Sequence, residues 1–221
     1  TVGASDSNDY LWMFRRAPGF FDVVTYSGTG ANATHNHNLN AVPELIITKT
    51  RSHSTEHWWV YSSATGAGKA LRLNATSAED SWTGYWNNTT PTSSVFSTTG
   101  YDGNNGSGKT YVAYLFASLD GISKVGSYTG TGSDLNVDCG FTAGARFILI
   151  KRTDSSSDWY LFDSTRGIVS GDDPWIKINS SVDDQNSTTD YIDPLNAGFT
   201  ITSGAFALNA AGGNYLFLAI A

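Results

Sequence analysis

The sequence predicts an all-β protein: two tandem antiparallel β-sandwich units related by duplication, preceded by one strand of a truncated unit. Three observations carry this. An apolar stretch opening with Tyr occurs three times, as Tyr10-Leu-Trp-Met-Phe14, Tyr111-Val-Ala-Tyr-Leu-Phe-Ala117 and Tyr215-Leu-Phe-Leu-Ala-Ile-Ala221, at intervals of 101 and 104 residues. Such an interval suits a whole small domain and is too long for a solenoid turn. Charged residues are only 15 % and aromatics 13 %, with Gly, Ser, Thr and Asn in place of helix formers. That is the balance of strands joined by polar turns. Finally, Tyr26 and Tyr128 stand in matching blocks 102 residues apart, and so do Lys49 and Lys151.

In chain order, residues 1–9 are polar and expected to fray. Tyr10–Phe14 reads as the closing strand of the truncated unit, and Pro18-Gly19 makes a turn. Phe20–Tyr26 is a strand ended by Ser27-Gly-Thr-Gly30. Its counterpart is Lys124–Tyr128, ended by Thr129-Gly-Thr-Gly132. Ala31–Leu39 then matches Leu135–Phe141, and Leu45–Lys49 matches Phe147–Lys151. The four apolar residues Phe147–Ile150 predict a strand covered on both faces. Trp58–Tyr61 matches Trp159–Phe162. Leu71–Asn74 matches Ile176–Asn179, both alternating like half-buried strands. Val95–Ser97 matches Phe199–Ile201. Thr76–Asp80 is the one candidate for a short helix. The organisation expected is residues 1–17 as closing strand and linker, 18–119 as the first repeat and 120–221 as the second. Antiparallel strands with an apolar face need a second sheet over them, so a sandwich is expected, with a barrel as the alternative.

The net charge of −7 argues against a nucleic-acid footprint, which needs clustered Lys and Arg. No run approaches eighteen apolar residues, so no membrane insertion is expected. Thr1–Ser7 lacks the basic and apolar regions of a secretory leader. Cys139 is the single cysteine, which rules out an internal disulfide.

Residues Phe14–Tyr26, with the pattern His37-x-Leu39…Pro43-x-x-Ile46-Ile-x-Lys49, carry a family likeness. Trp59-Val-Tyr61, Thr110–Ala117, Val125–Gly130 and Tyr215–Ala221 share it. Together they resemble repeats in tail-fibre and receptor-binding proteins of bacteriophages, especially marine and cyanobacterial ones. The second unit has Cys139-Gly-Phe141 where the His-x-Leu pattern would fall. The resemblance implies an extracellular virion appendage, a homotrimer, that contacts other virion proteins and a host-surface glycan, lipopolysaccharide or protein.

The function expected is non-enzymatic adhesion. The alternatives are a structural shaft or capsid-decoration module without ligand and, third, a surface-polysaccharide depolymerase. Catalysis has little to stand on. There is no Gly-x-Ser-x-Gly, Cys139 has no nucleophile context, and Asp172-Asp173 and Asp183-Asp184 sit in loops. These four Asp could collect Ca²⁺, but the spaced Asp loop of a calcium site is missing. No cofactor or metal is expected. The residues nearest to a ligand pair are His35 and His37, which share one strand face. The alternative for them is a hydrogen bond to a neighbouring carbonyl. The aromatics of polar loops are the candidate ligand residues: Trp82, Tyr85, Trp86, Tyr101 and Trp175. An aromatic face beside Asn and Asp acceptors suits a sugar ring. The competing role is packing at the sandwich ends or in a subunit interface.

Overall fold

The computed structural model describes residues 12–53, 55–181, 185–186 and 188–221. The first half contributes β1 (Phe21–Ser27), β2 (Ala33–Asn36), β3 (Leu45–Thr50), β4 (Trp59–Ser62), β5 (Leu71–Arg72), β6 (Val95–Thr98) and β7 (Thr110–Phe116). The second half contributes β8 (Ser123–Thr129), β9 (Leu135–Asp138), β10 (Phe147–Arg152), β11 (Trp159–Asp163), β12 (Pro174–Lys177), β13 (Gln185–Asn186), β14 (Ile192–Leu195), β15 (Gly198–Ile201), the one-turn helix α1 (Phe206–Asn209) and β16 (Asn214–Ile220). All strand pairs are antiparallel.

The duplication shows in the topology. The first large sheet runs β1-β7-β3-β4-β5, and the second runs β8-β16-β10-β11-β12-β13. Register repeats as well: Tyr26 lies opposite Tyr111 as Tyr128 lies opposite Tyr215. Each half adds a small sheet, β2-β6 in the first and β9-β15-β14 in the second.

Side chains alternate across a strand, and the alternation here feeds two cores at once. Ile148 and Ile150 of β10 pack with Phe162, Phe199 and Phe217 in the second half's own core. Ile46, Trp59 and Tyr61 do the same with Phe96 in the first half. The opposite faces meet each other. Leu45, Ile47, Val60 and Leu71 pack against Leu149, Trp159, Leu161 and Leu218 in a third, central core. The molecule is therefore four layers, with the large sheets inside and the small sheets outside. This is why β3 and β10 read as continuous apolar runs rather than alternating ones. The halves expected as separate domains share this core. Hydrogen bonds join the halves beside it: Glu79 N donates to the Thr153 carbonyl at 2.8 Å, and the Trp159 side chain, through Nε1, to the Arg72 carbonyl at 2.8 Å.

A corner repeated in both halves fixes the strand ends. Gly30 and Gly132 adopt φ of 71° and 72°, which only glycine takes without strain. Beside them the Asn105 side chain accepts from Thr29 N at 3.1 Å and donates to the Ala31 carbonyl at 2.7 Å. Asn209 does the same with Thr131 N at 2.8 Å and the Ser133 carbonyl at 2.7 Å.

Two sequence expectations need correction here. Residues 12–16 form no strand, and Tyr10 and Leu11 lie outside the described residues. Phe14 instead wedges edge-on against Phe116 and Phe147, with centroids 5.5 and 5.8 Å away, and Trp12 Nε1 reaches Asp163 Oδ2 at 3.2 Å. Met13 between them is 84 % exposed. The alternation is that of a strand, but its use is to wall an apolar groove of about 530 Å³ at the rim of the central core. The segment Thr76–Asp80 is not helical. Its backbone is taken up by the other half, with Ser157 N donating to the Thr76 carbonyl at 2.8 Å. The helix that does occur, α1, has no side-chain cap.

Candidate functional site

Three of the five loop aromatics singled out above converge. The turns after β5 and β6 carry Trp82, Tyr85 and Tyr101 to one end of the first sheet, over Trp59 of β4. Trp82 stands edge-on to Tyr85 and Tyr101, with centroids 4.6 and 5.0 Å away. Tyr85 lies 4.2 Å from Trp59. Trp82 is 44 % exposed, while Tyr85 and Trp59 are buried beneath. Two glycines make this approach achievable. A Cβ on Gly84 would fall 2.3 Å from the Trp82 ring, and one on Gly103 would fall 2.3 Å from Trp59 Nε1 and 2.4 Å from Tyr101.

Charged groups ring the cluster. Arg72 lies 5.1 Å over Trp59 and pairs with Asp80 at 2.9 Å. Tyr85 donates to Asp80 at 3.3 Å, and Lys109 pairs with Asp102 at 2.9 Å. Burial pushes the Tyr85 phenol up to about 12. Burial raises Tyr101 too, helped by the Glu56 carboxylate. Both remain neutral hydrogen-bonding groups at physiological pH. Trp59 Nε1 and Arg72 Nε, at the floor, have no hydrogen-bond partner among the described residues. The sequence reading missed Trp59, Arg72, Asp80 and Glu56 as members of this cluster. No motif links them, because they arrive from three segments: residues 56–59, Arg72 of β5 and Asp80 in the loop after it.

Trp86 and Trp175 do not belong to it. Trp86 is 1 % exposed and packs edge-on against Tyr61 at 5.8 Å in the first half's core. Trp175 is 9 % exposed and packs among Tyr160, Tyr191 and Lys177 in the second half. Each large ring fills the space between a large and a small sheet, so packing claims them.

His35 and His37 do share a face, and that face is turned inward. His35 Nε2 bonds Thr98 Oγ1 at 2.8 Å, and its ring sits 3.9 Å from that of Tyr26. His37 Nδ1 accepts from Leu39 N at 3.3 Å, so its Nε2–H donates to the Thr92 carbonyl at 3.1 Å. These contacts use the imidazoles as packing and hydrogen-bonding groups. Among the described residues no group of three or more His, Cys, Asp or Glu converges. Asp173 is buried and accepts from Tyr191 N at 2.9 Å and Ile192 N at 2.7 Å, fixing the entry to β14. Asp172 is not brought together with a ligand set, and Asp183 and Asp184 lie outside the described residues. Cys139 is buried, and its thiol is pushed up to about 12, which keeps it unreactive.

Burial of His35 has a measurable consequence. Its folded pKa is lowered from 6.5 to about 4. The unfolded chain thus takes up this proton first. Stability from His35 is complete above pH 6.5 and falls as pH drops from 6.5 to 4, by up to about 3 kcal/mol. Asp173 acts oppositely: burial raises it from 3.8 to about 6, so its contribution is complete below 3.8 and lost as pH rises through 6. The His35→Asn variant isolates the first effect. Urea midpoints measured from pH 7 to 4 will fall less steeply for the variant than for the parent. Parallel curves would mean that His35 is not held neutral.

A second concavity lies at the seam between the halves. It is a polar groove of about 550 Å³ with the Lys69–Glu79 ion pair on one wall and Ser127, Thr129 and Asn214 on the other.

The family model called Domain of unknown function (DUF7483) matches residues 16–221. The chain belongs to the DUF7483 family. The match spans both halves of the chain. No curated protein and no solved structure matches the chain.

Proposed function

We propose that this DUF7483 chain is a host-attachment module of a virion appendage, holding a cell-surface glycan on the Trp82–Tyr101 cluster without chemical turnover. The observation that carries the reading is the half-exposed Trp82 ring. It stands with Tyr101 over a packed aromatic floor, ringed by the Arg72–Asp80 and Lys109–Asp102 pairs. A sugar presents a C–H face to such a ring and hydroxyls to such charges. The phage tail-fibre resemblance supplies the biological setting, a homotrimer outside the cell.

The test is retention on an array of bacterial surface glycans. The parent will be retained, and Trp82→Ala will weaken retention about tenfold or more, near 1.4 kcal/mol. Because Trp82 is 44 % exposed, its melting temperature will match the parent's. Equal retention by both proteins, or none by either, ends this reading. A ligand-free shaft or decoration module is the second reading. It is favoured by the burial of Trp86 and Trp175, which removes two candidate contacts.

A further inference from the structure

We infer that the seam groove is a saccharide site separate from the Trp82 cluster, and that it takes an uncharged oligosaccharide. Its walls belong to different halves and are clamped together. The Lys151 ammonium, fully buried, donates to the Thr76 carbonyl at 3.0 Å. Ser157 N donates to the same carbonyl at 2.8 Å, and Glu79 N to that of Thr153 at 2.8 Å. The opening is therefore built before any ligand arrives, which removes an ordering cost from binding. At about 550 Å³ it falls within the roughly 300–1,000 Å³ range of small-molecule clefts.

The lining decides the ligand class. Thr65, Ser127 and Thr129 bring hydroxyls and Asn214 an amide, while Lys69 and Glu79 bring one charge of each sign. Thr129 Oγ1 donates to Asn214 Oδ1 at 3.3 Å, and this leaves the Asn214 Nδ2 donor without a partner among the described residues. The exposed Ser127 hydroxyl has none among them either. Hydroxyls and amides both donate and accept, which matches a ligand whose own groups are hydroxyls. An apolar ligand would strand these groups. An anion would need an unpaired cation, yet Lys69 is already paired with Glu79, and the chain carries a net charge of −7. A neutral sugar chain meets neither objection.

The test uses the whole chain and immobilised uncharged hexasaccharides of glucose, galactose, mannose and N-acetylglucosamine, with polygalacturonic acid as the anionic arm. Ser127 is exposed on the edge strand β8, so Ser127→Trp fills the groove with a residue that strands accept. Parent and variant will melt together. The parent will bind one of the neutral probes, and Ser127→Trp will weaken that binding tenfold or more. Binding will be unchanged between about 0.05 M and about 0.5 M salt, since no net charge is matched. Parent-like binding by Ser127→Trp, binding of the polyanion alone, or no binding to any probe overturns the inference. The Trp82→Ala variant separates it from the proposed function. Sensitivity to Trp82→Ala but not to Ser127→Trp sinks the groove alone, and the reverse pattern sinks the Trp82 reading alone.

Discussion

Neither half of the chain will fold by itself. A fragment of residues 16–119 loses the sheet that covers Phe21, Leu45, Ile47, Val60, Leu71 and Phe116. A fragment of residues 120–221 loses the cover over Val125, Leu149, Trp159, Leu161, Leu216 and Leu218. Returning one such side chain to water costs at least about 1.5 kcal/mol. Six of them match the whole net stability of an ordinary domain, about 5–15 kcal/mol. Each fragment also loses the inter-half hydrogen bonds at Thr76, Thr153 and Arg72. Expressed alone, each will bind a hydrophobic dye and show no cooperative melting, whereas the intact chain will melt in one transition. The measurement is calorimetry with dye fluorescence on the three proteins. A monomeric fragment that melts cooperatively within a few degrees of the whole chain would show that the central core is dispensable. The match of the family model across both halves agrees with their inseparability.

That shared core marks where the sequence stops speaking. Strand positions were readable because apolar residues recur at the same offsets in both halves, and the shared sheet orders follow from that. The unbroken apolar run Phe147–Ile150 tells that β10 is covered on both faces. It does not tell that one cover is the half's own small sheet and the other is the sister half. Two strands escaped notice for compositional reasons. The strand β13 is two residues long, and β14 carries Pro194, a residue confined to edges, where β14 indeed lies. The arm at Trp12–Phe14 has the alternation of the closing strands without their ladder. The site was half legible. Trp82 and Trp86 stand four residues apart in one polar loop, and nothing local separates them. What does is Gly84: without a Cβ it lets the chain fold under Trp82, while Trp86 turns into the gap beside Tyr61.

The duplication supplies a matched pair of substitutions. Trp58 and Trp159 are repeat counterparts. Each donates a hydrogen bond from its backbone N to an Asn side-chain oxygen, that of Asn74 at 3.1 Å and that of Asn179 at 2.7 Å. Both rings face the central core. Their surroundings differ. Trp159 is fully buried, and its Nε1 donates across the seam to the Arg72 carbonyl. Trp58 is partly exposed and lines the open apolar groove beside Trp12, Leu73 and Tyr114. Trp159→Ala will therefore remove a filled volume and leave the Arg72 carbonyl short of its donor, at a cost of about 3–5 kcal/mol. Trp58→Ala will cost under about 2 kcal/mol, because the groove already admits solvent at that ring. Trp159→Phe divides the larger loss. It keeps most of the volume and drops the hydrogen bond, so it will fall between the parent and Trp159→Ala. Urea unfolding of the three variants reads these differences directly. Equal losses at Trp58 and Trp159 would mean that the two halves bury their counterpart rings alike, and that the central core is as symmetric as the sequence repeat that produced it.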